Sequence, residues 1–107
     1  MPLQHVVAFR FGHPPTDDQL SQMAAGIESL STIGEARVIR FGPDLTGART
    51  RGYSHLLFME FDDEHSLRRY QEHPVHLRFA DWITAEEVGL LVFDYHVDDQ
   101  TRIWPKS

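Results

Sequence analysis

Three stretches of this chain alternate or run in ways that only β-strands use, and each is apolar on more than one face. From Leu3 to Phe11, one face carries Leu3, His5, Val7, Phe9 and Phe11, and the other Gln4, Val6, Ala8 and Arg10. From Tyr53 to Phe61, Tyr53, His55, Leu57, Met59 and Phe61 share one face, while Leu56 and Phe58 stand on the other. From Val88 to Tyr95 the run Leu90-Leu91-Val92-Phe93 is apolar without a break and reads as a buried last strand. Such a sheet needs cover on both sides. A chain of 107 residues has material for one core and little more than one layer of helices.

The helices fall between the strands. Gly12-His13-Pro14-Pro15 breaks the first strand, and Thr16 with Gln19 forms a capping box. Leu20, Met23, Ala24, Ile27 and Leu30 then recur at helical spacing, with Gly34 as a stop. A short strand follows, roughly 36–41, and then the longest loop, 42–52, which contains Pro43, Gly47 and two arginines. Asp62-Asp63-Glu64 opens a second helix bearing Leu67 and Tyr70. It ends near His73, and Pro74 starts a third helix, on which His76, Phe79, Ala80 and Ile83 share a stripe. The order is β-α-β-β-α-(α)-β, which predicts an α+β, ferredoxin-like fold with a four-stranded antiparallel sheet and helices on one face. The other face would stay bare and apolar, which a soluble monomer does not tolerate. A two-fold homodimer packed through that sheet face, a dimeric α/β barrel, resolves the conflict. The domain is expected over 1–96, followed by a polar tail over 97–107 that carries Ile103 and Trp104.

Several functional classes lose support. Ten basic against sixteen acidic residues leave a charge of −6, and only Arg49/Arg51 and Arg68/Arg69 concentrate positive charge, so no nucleic-acid partner is expected. No apolar run is long enough for a bilayer and the N-terminus shows no secretory pattern, so no membrane partner is expected and the cytoplasm is the default compartment. There is no cysteine, which removes disulfides and thiolate chemistry. Neither a glycine-rich phosphate loop, nor G-x-S-x-G, nor HExxH occurs, and no cofactor or metal is expected.

The residues left to carry chemistry are histidines. His5 and His55 sit on inward strand faces, and His76 sits on the apolar stripe of the third helix. Burial lowers a histidine's pKa and keeps it neutral as a base. Tyr70 lies one short turn before Pro74, where a phenol can donate to a developing oxyanion. His76 and Tyr70 thus form a base and a stabiliser for removing a proton beside a carbonyl. The competing reading makes all of these hydrogen-bonded core groups, with His73 a helix cap.

The segments His5-Val6-Val7-Ala8-Phe9-Arg10-Phe11, Gly52-Tyr53-Ser54-His55, Tyr70-Gln71-Glu72-His73-Pro74-Val75-His76 and Leu91-Val92-Phe93-Asp94-Tyr95 together resemble the stress-responsive A/B barrel (Dabb) family. The resemblance runs from about Leu3 to Tyr95 and implies a dimeric α+β barrel. It also implies a chemistry, since a polyketide cyclase of this family closes a poly-β-keto thioester by an aldol step without a cofactor. Its catalytic tyrosine and histidine match Tyr70 and His76. Its pocket matches His5, His55, Val7, Phe9, Met23, Ile27, Leu57, Met59, Phe79 and Val92. Met23, Ala24, Ile27 and Glu87 replace aromatic residues of that enzyme, so the resemblance implies a differently shaped wall. It implies a small hydrophobic substrate as partner, or alternatively a stress-responsive or ligand-binding dimer without turnover.

Overall fold

In a computed structural model, which describes residues 1–105, the predicted order appears with one addition. The elements are β1 (Leu3–Arg10), α1 (Asp17–Leu30), a 3-10 turn (Ser31–Ile33), β2 (Ala36–Pro43), β3 (His55–Phe61), α2 (Glu64–Glu72), α3 (Pro74–Ala85) and β4 (Gly89–His96). The sheet is antiparallel throughout, in the order β2-β3-β1-β4. This is the α+β, ferredoxin-like arrangement. Among the described residues no helix is long and apolar enough to cross a membrane.

Local chemistry sets the helix ends. The Thr16 side chain accepts from the Gln19 backbone N–H, and the Gln19 side chain accepts from the Thr16 N–H, which completes the capping box. Gly34 closes the 3-10 turn after α1 in the left-handed region, with φ of 81°. Asp63 caps α2 through the Ser66 N–H at 2.8 Å. That bond is the main reason the Asp63 carboxyl titrates below its ordinary value. His73 serves two helices. Its backbone N–H donates to the Tyr70 carbonyl at the end of α2, and its Nδ1 accepts from the Val75 N–H at the start of α3. Pro74 takes the first position of α3, where a missing N–H costs nothing.

The helices cover one face. Leu3, His5, Val7 and Phe9 of β1 and Leu57, Met59 and Phe61 of β3 are all buried on it. Met23, Ile27 and Leu30 of α1, Leu67 and Tyr70 of α2, and Phe79 and Ile83 of α3 close over them. The opposite face carries Val6, Ala8, Leu56, Phe58, Leu91, Phe93 and Tyr95, matched across the strands. Among the described residues no helix covers it.

Two expectations need correction. The last strand is not buried: β4 is exposed along nearly its whole length, with Leu91 at 59% and Phe93 at 65%. It is an edge strand, paired only to β1, and it overhangs the helix layer. Continuous apolarity suggested a buried strand, and the exposed β4 does not bear that out. Likewise β3 is not buried on both sides, since Leu56 is 48% exposed. The tail is tied down at its start, where the Val97 N–H donates to the Pro2 carbonyl and the Thr101 hydroxyl to the His96 carbonyl. Ile103 and Trp104 stand exposed, and 106–107 lie outside the described residues.

Candidate active site

The register of the sheet builds the site. His5 lies opposite Met59 on β3 and opposite Asp94 on β4. Directly opposed side chains share a face and come within reach of each other. His5 Nδ1–H donates to Asp94 Oδ1 at 2.5 Å. The carboxylate can only accept, so this bond places a proton on Nδ1. His5 is 5% exposed, whereas the Asp94 side chain reaches partly into solvent at 37%.

Tyr70 comes from α2 and His76 from α3, brought together by the corner at His73-Pro74. Their ring centroids are 4.7 Å apart at 65°. The Tyr70 ring also meets His5 edge-on at 6.3 Å and packs on Phe61 at 5.1 Å. Tyr70 is 2% exposed, and burial pushes its phenol above the ordinary range, so it stays a hydrogen-bond donor. His76 Nδ1 is buried without a hydrogen-bond partner among the described residues. Burial holds His76 below its ordinary pKa; the Gln71 backbone carbonyl works against this, and the nearby His5 works with it.

These rings border a cavity of about 190 Å³ between the helices and the sheet. His5, Tyr70, Gln71 and His76 give it polar groups, and Val7, Phe9, Leu57, Phe79, Ala80, Ile83, Leu90 and Val92 line the rest. Leu90 and Val92 are also 46% and 48% exposed, which puts the mouth at the β4 edge. Larger hollows lie elsewhere. One of about 390 Å³ sits outside Asp94, between β4 and α2, with Glu64, Arg68 and His96. Another of about 470 Å³ lies between the bare sheet face and the 43–53 loop. The smaller cavity bordered by His5, Tyr70 and His76 is the one that gathers the deeply buried polar groups.

Of the residues the sequence nominated, His76, Tyr70, His5, Val7, Phe9, Leu57, Phe79 and Val92 reach this cavity together. Met23, Ile27 and Met59 do not; they are packed into the core beneath it at 1%, 6% and 0% exposure. His55 does not reach it either. It sits four positions along β3 from Met59, the residue opposite His5, or roughly 13 Å at the rise of a strand. There it stacks on Phe41 at 5.5 Å and takes a hydrogen bond from the Ser54 hydroxyl at 2.7 Å, and burial lowers its pKa. Two residues were missed, Asp94 and Gln71. A lone acid inside an apolar strand was the available signal for Asp94. Gln71 gave none, being one polar residue of an exposed helix end. Among the described residues no three histidine, aspartate or glutamate side chains converge as a metal-binding set.

A ferredoxin-like α+β domain with a histidine- and tyrosine-bordered cavity between its sheet and helices defines the class. The model of the stress responsive A/B barrel domain matches residues 3–97, and the chain belongs to that family. It is 27% identical over 97 residues to olivetolic acid cyclase of Cannabis sativa, covering 89% of this chain and 96% of the cyclase. Among solved structures it is similar to a hydroxynitrile lyase from Passiflora edulis, with a TM-score of 0.80, 23% identity, and 94% and 97% of the two chains covered. It is also similar to a dimeric ferredoxin-like protein of unknown function from Thermobifida fusca, with a TM-score of 0.71, 28% identity, and 87% and 90% covered.

Proposed function

We propose that the protein is a homodimeric, cofactor-independent enzyme that moves a proton beside a carbonyl of a small β-keto substrate. One observation carries this reading: His76, whose buried Nδ1 has no hydrogen-bond partner among the described residues, borders an apolar cavity beside Tyr70. A base held neutral by burial removes the acidic proton between two carbonyls. The Tyr70 hydroxyl donates to the carbonyl oxygen as it becomes an enolate. The enolate carbon adds to a second carbonyl of the same chain, and the His76 proton passes to the new alkoxide. His5, oriented by Asp94, offers Nε2 to a substrate hydroxyl or to water. The likeness to olivetolic acid cyclase supports this chemistry class, and the cavity's size limits the substrate.

About 190 Å³ is somewhat more than the ~150 Å³ that holds a benzene and less than the ~300 Å³ at which drug-sized sites begin. A short acyl chain fits, with any carrier group left outside the β4 edge. The bare sheet face is the reason for the dimer, and the relatives described as dimeric support it. A cysteine-free chain requires no oxidising compartment, which keeps the cytoplasm as its place in this reading.

The test is a panel of β-keto thioesters of increasing chain length, with products separated by mass. Turnover is expected for the shortest members able to close a ring, and loss of it in both His76→Ala and Tyr70→Phe. Tight binding of these compounds without turnover would make the protein a ligand-binding dimer instead.

A further inference from the structure

The cavity wall contains one side chain whose position is set from behind. The Phe79 ring borders the cavity on one side and stacks on Trp82 at 5.9 Å and 11°. Phe9 meets it edge-on at 6.3 Å. The Trp82 indole N–H is itself anchored to α1, donating to the Gln22 side chain at 2.7 Å. Behind the ring lies Gly26, inside α1. A Cβ at Gly26 would fall 2.3 Å from Cδ1 and 2.5 Å from Cε1 of Phe79. Gly26 shows no left-handed φ that would call for glycine, and a glycine inside a helix is destabilising relative to alanine. The position therefore uses the missing side chain for close approach.

We propose that Gly26 is a specificity-determining position: it lets the Phe79 ring lean onto α1 and thereby keeps the cavity wide enough for a ring-sized ligand. This rests on the reading of the cavity as the substrate site. Any side chain at 26 must displace the ring, and packed interiors leave it few directions to go. Trp82 holds one face and Phe9 one edge, so the free space beside the ring is the cavity itself. Even a small advance of the ring removes a volume on the order of one water's share, ~30 Å³, from a cavity of about 190 Å³.

The experiment is an NMR titration with two unreactive ketones, butanone and acetophenone, which need no turnover to be read. The unmodified protein is expected to bind both. Gly26→Ala is expected to weaken acetophenone about tenfold while leaving butanone within about twofold, and adding Phe79→Leu to that variant should restore acetophenone. Equal weakening of both ketones would make Gly26 a packing residue only and overturn the assignment, as would no change in either. If the unmodified protein binds neither ketone, the cavity is no substrate site, and both this inference and the proposed function fall. Phe79→Leu alone gives an answer should Gly26→Ala not fold. It is expected to shift preference toward 4-propylacetophenone, and an unchanged preference would overturn the assignment.

Discussion

The Tyr70 and His76 rings meet edge to face, centroids 4.7 Å apart, across the corner where α2 ends and α3 begins. That corner is fixed by backbone chemistry. His73 caps both helices, and Pro74 permits only a helix start at its own position. The geometry of the proposed catalytic pair therefore depends on a residue that does not border the cavity. His73→Ala is expected to cost about 1 kcal/mol, the usual loss of a side-chain cap, and to lower kcat more than it raises KM. Urea unfolding and steady-state kinetics on one preparation check both. A variant with lowered stability and unchanged kcat would show that the corner holds without its cap.

Removing either ring's polar group separates the two roles. Tyr70→Phe keeps the packing on Phe61 and takes away the donor, so kcat should fall about a hundredfold with the melting temperature nearly constant. His76→Ala removes the proposed base and should cost about a hundredfold or more. Thioester turnover with far-UV circular dichroism as the folding control measures both. Retained turnover in the two variants would end the His/Tyr assignment.

Burial lowers the pKa of His76 and of His55 below the ordinary 6.5. Between the lowered values and 6.5, the unfolded chain holds more protons than the folded one. Stability therefore rises with pH through that window, is fully present above it, and is lost as pH falls toward the folded values. Turnover should climb at the acid end of that window, around the lowered His76 value, because the proposed base acts unprotonated in the folded protein, and no basic limb from Tyr70 should appear in the ordinary phenol range, since burial raises that group. Urea unfolding from about pH 5 to pH 7.5 reads the slope. His76→Gln and His55→Gln should each flatten it. A profile that falls with pH would contradict the burial argument.

The element order, the caps and the His73-Pro74 corner were legible because each rests on local chemistry: period two, a Thr-x-x-Gln box, a proline at a helix start. The Tyr70–His76 pairing was legible for the same reason, since one short segment contains both residues and the corner between them. Register was not. Placing His55 with His5 required knowing that Met59, not His55, lies opposite His5, and alternation alone is blind to a slide of an even number of residues. Asp94 escaped for the same cause: its partnership with His5 exists only in the β1–β4 pairing, across nearly the whole chain. Met23, Ile27 and Met59 have the right face for the cavity, but depth within a packed core is not written in periodicity. The exposure of β4 is the reverse case, since an unbroken apolar run does not reveal that its strand lies at the sheet edge.

Asp94 is expected to act through His5. Asp94→Asn keeps the shape but lets the amide offer either a donor or an acceptor, so the Nδ1–H tautomer of His5 is no longer imposed. kcat should drop at least about tenfold with KM little changed, and the ¹⁵N shifts of His5 should move toward a tautomer mixture. Asp94→Ala should in addition cost about 1–3 kcal/mol, because a buried ring N–H loses its acceptor. Glutamate at this position, tested as Asp94→Glu, should recover part of the activity if orientation is the role. Unchanged His5 shifts in the Asn variant would remove Asp94 from the mechanism.

The bare sheet face gives the assembly a direct test. Phe93 is 65% and Leu91 59% exposed there, beside Leu56 at 48%, and all three lie on the side away from the helices. Val6 and Phe58 continue the patch, and the Arg40 guanidinium lies over the Phe58 ring at 5.6 Å. Two such faces packed together would bury the centre of each patch, and a carboxylate placed in that centre would lose its water without gaining a partner. Phe93→Glu is therefore expected to convert a sedimenting dimer to monomer at micromolar concentration. In the unmodified protein the melting temperature should rise with concentration, because association stabilises the folded chain by mass action, and in the variant it should not. Arg10, at the end of the same face of β1, is a matched control: Arg10→Glu changes charge outside the apolar patch and should leave the dimer intact. If the unmodified protein already sediments as a monomer, the exposed face of β4 has another occupant, and the two-fold assembly is wrong.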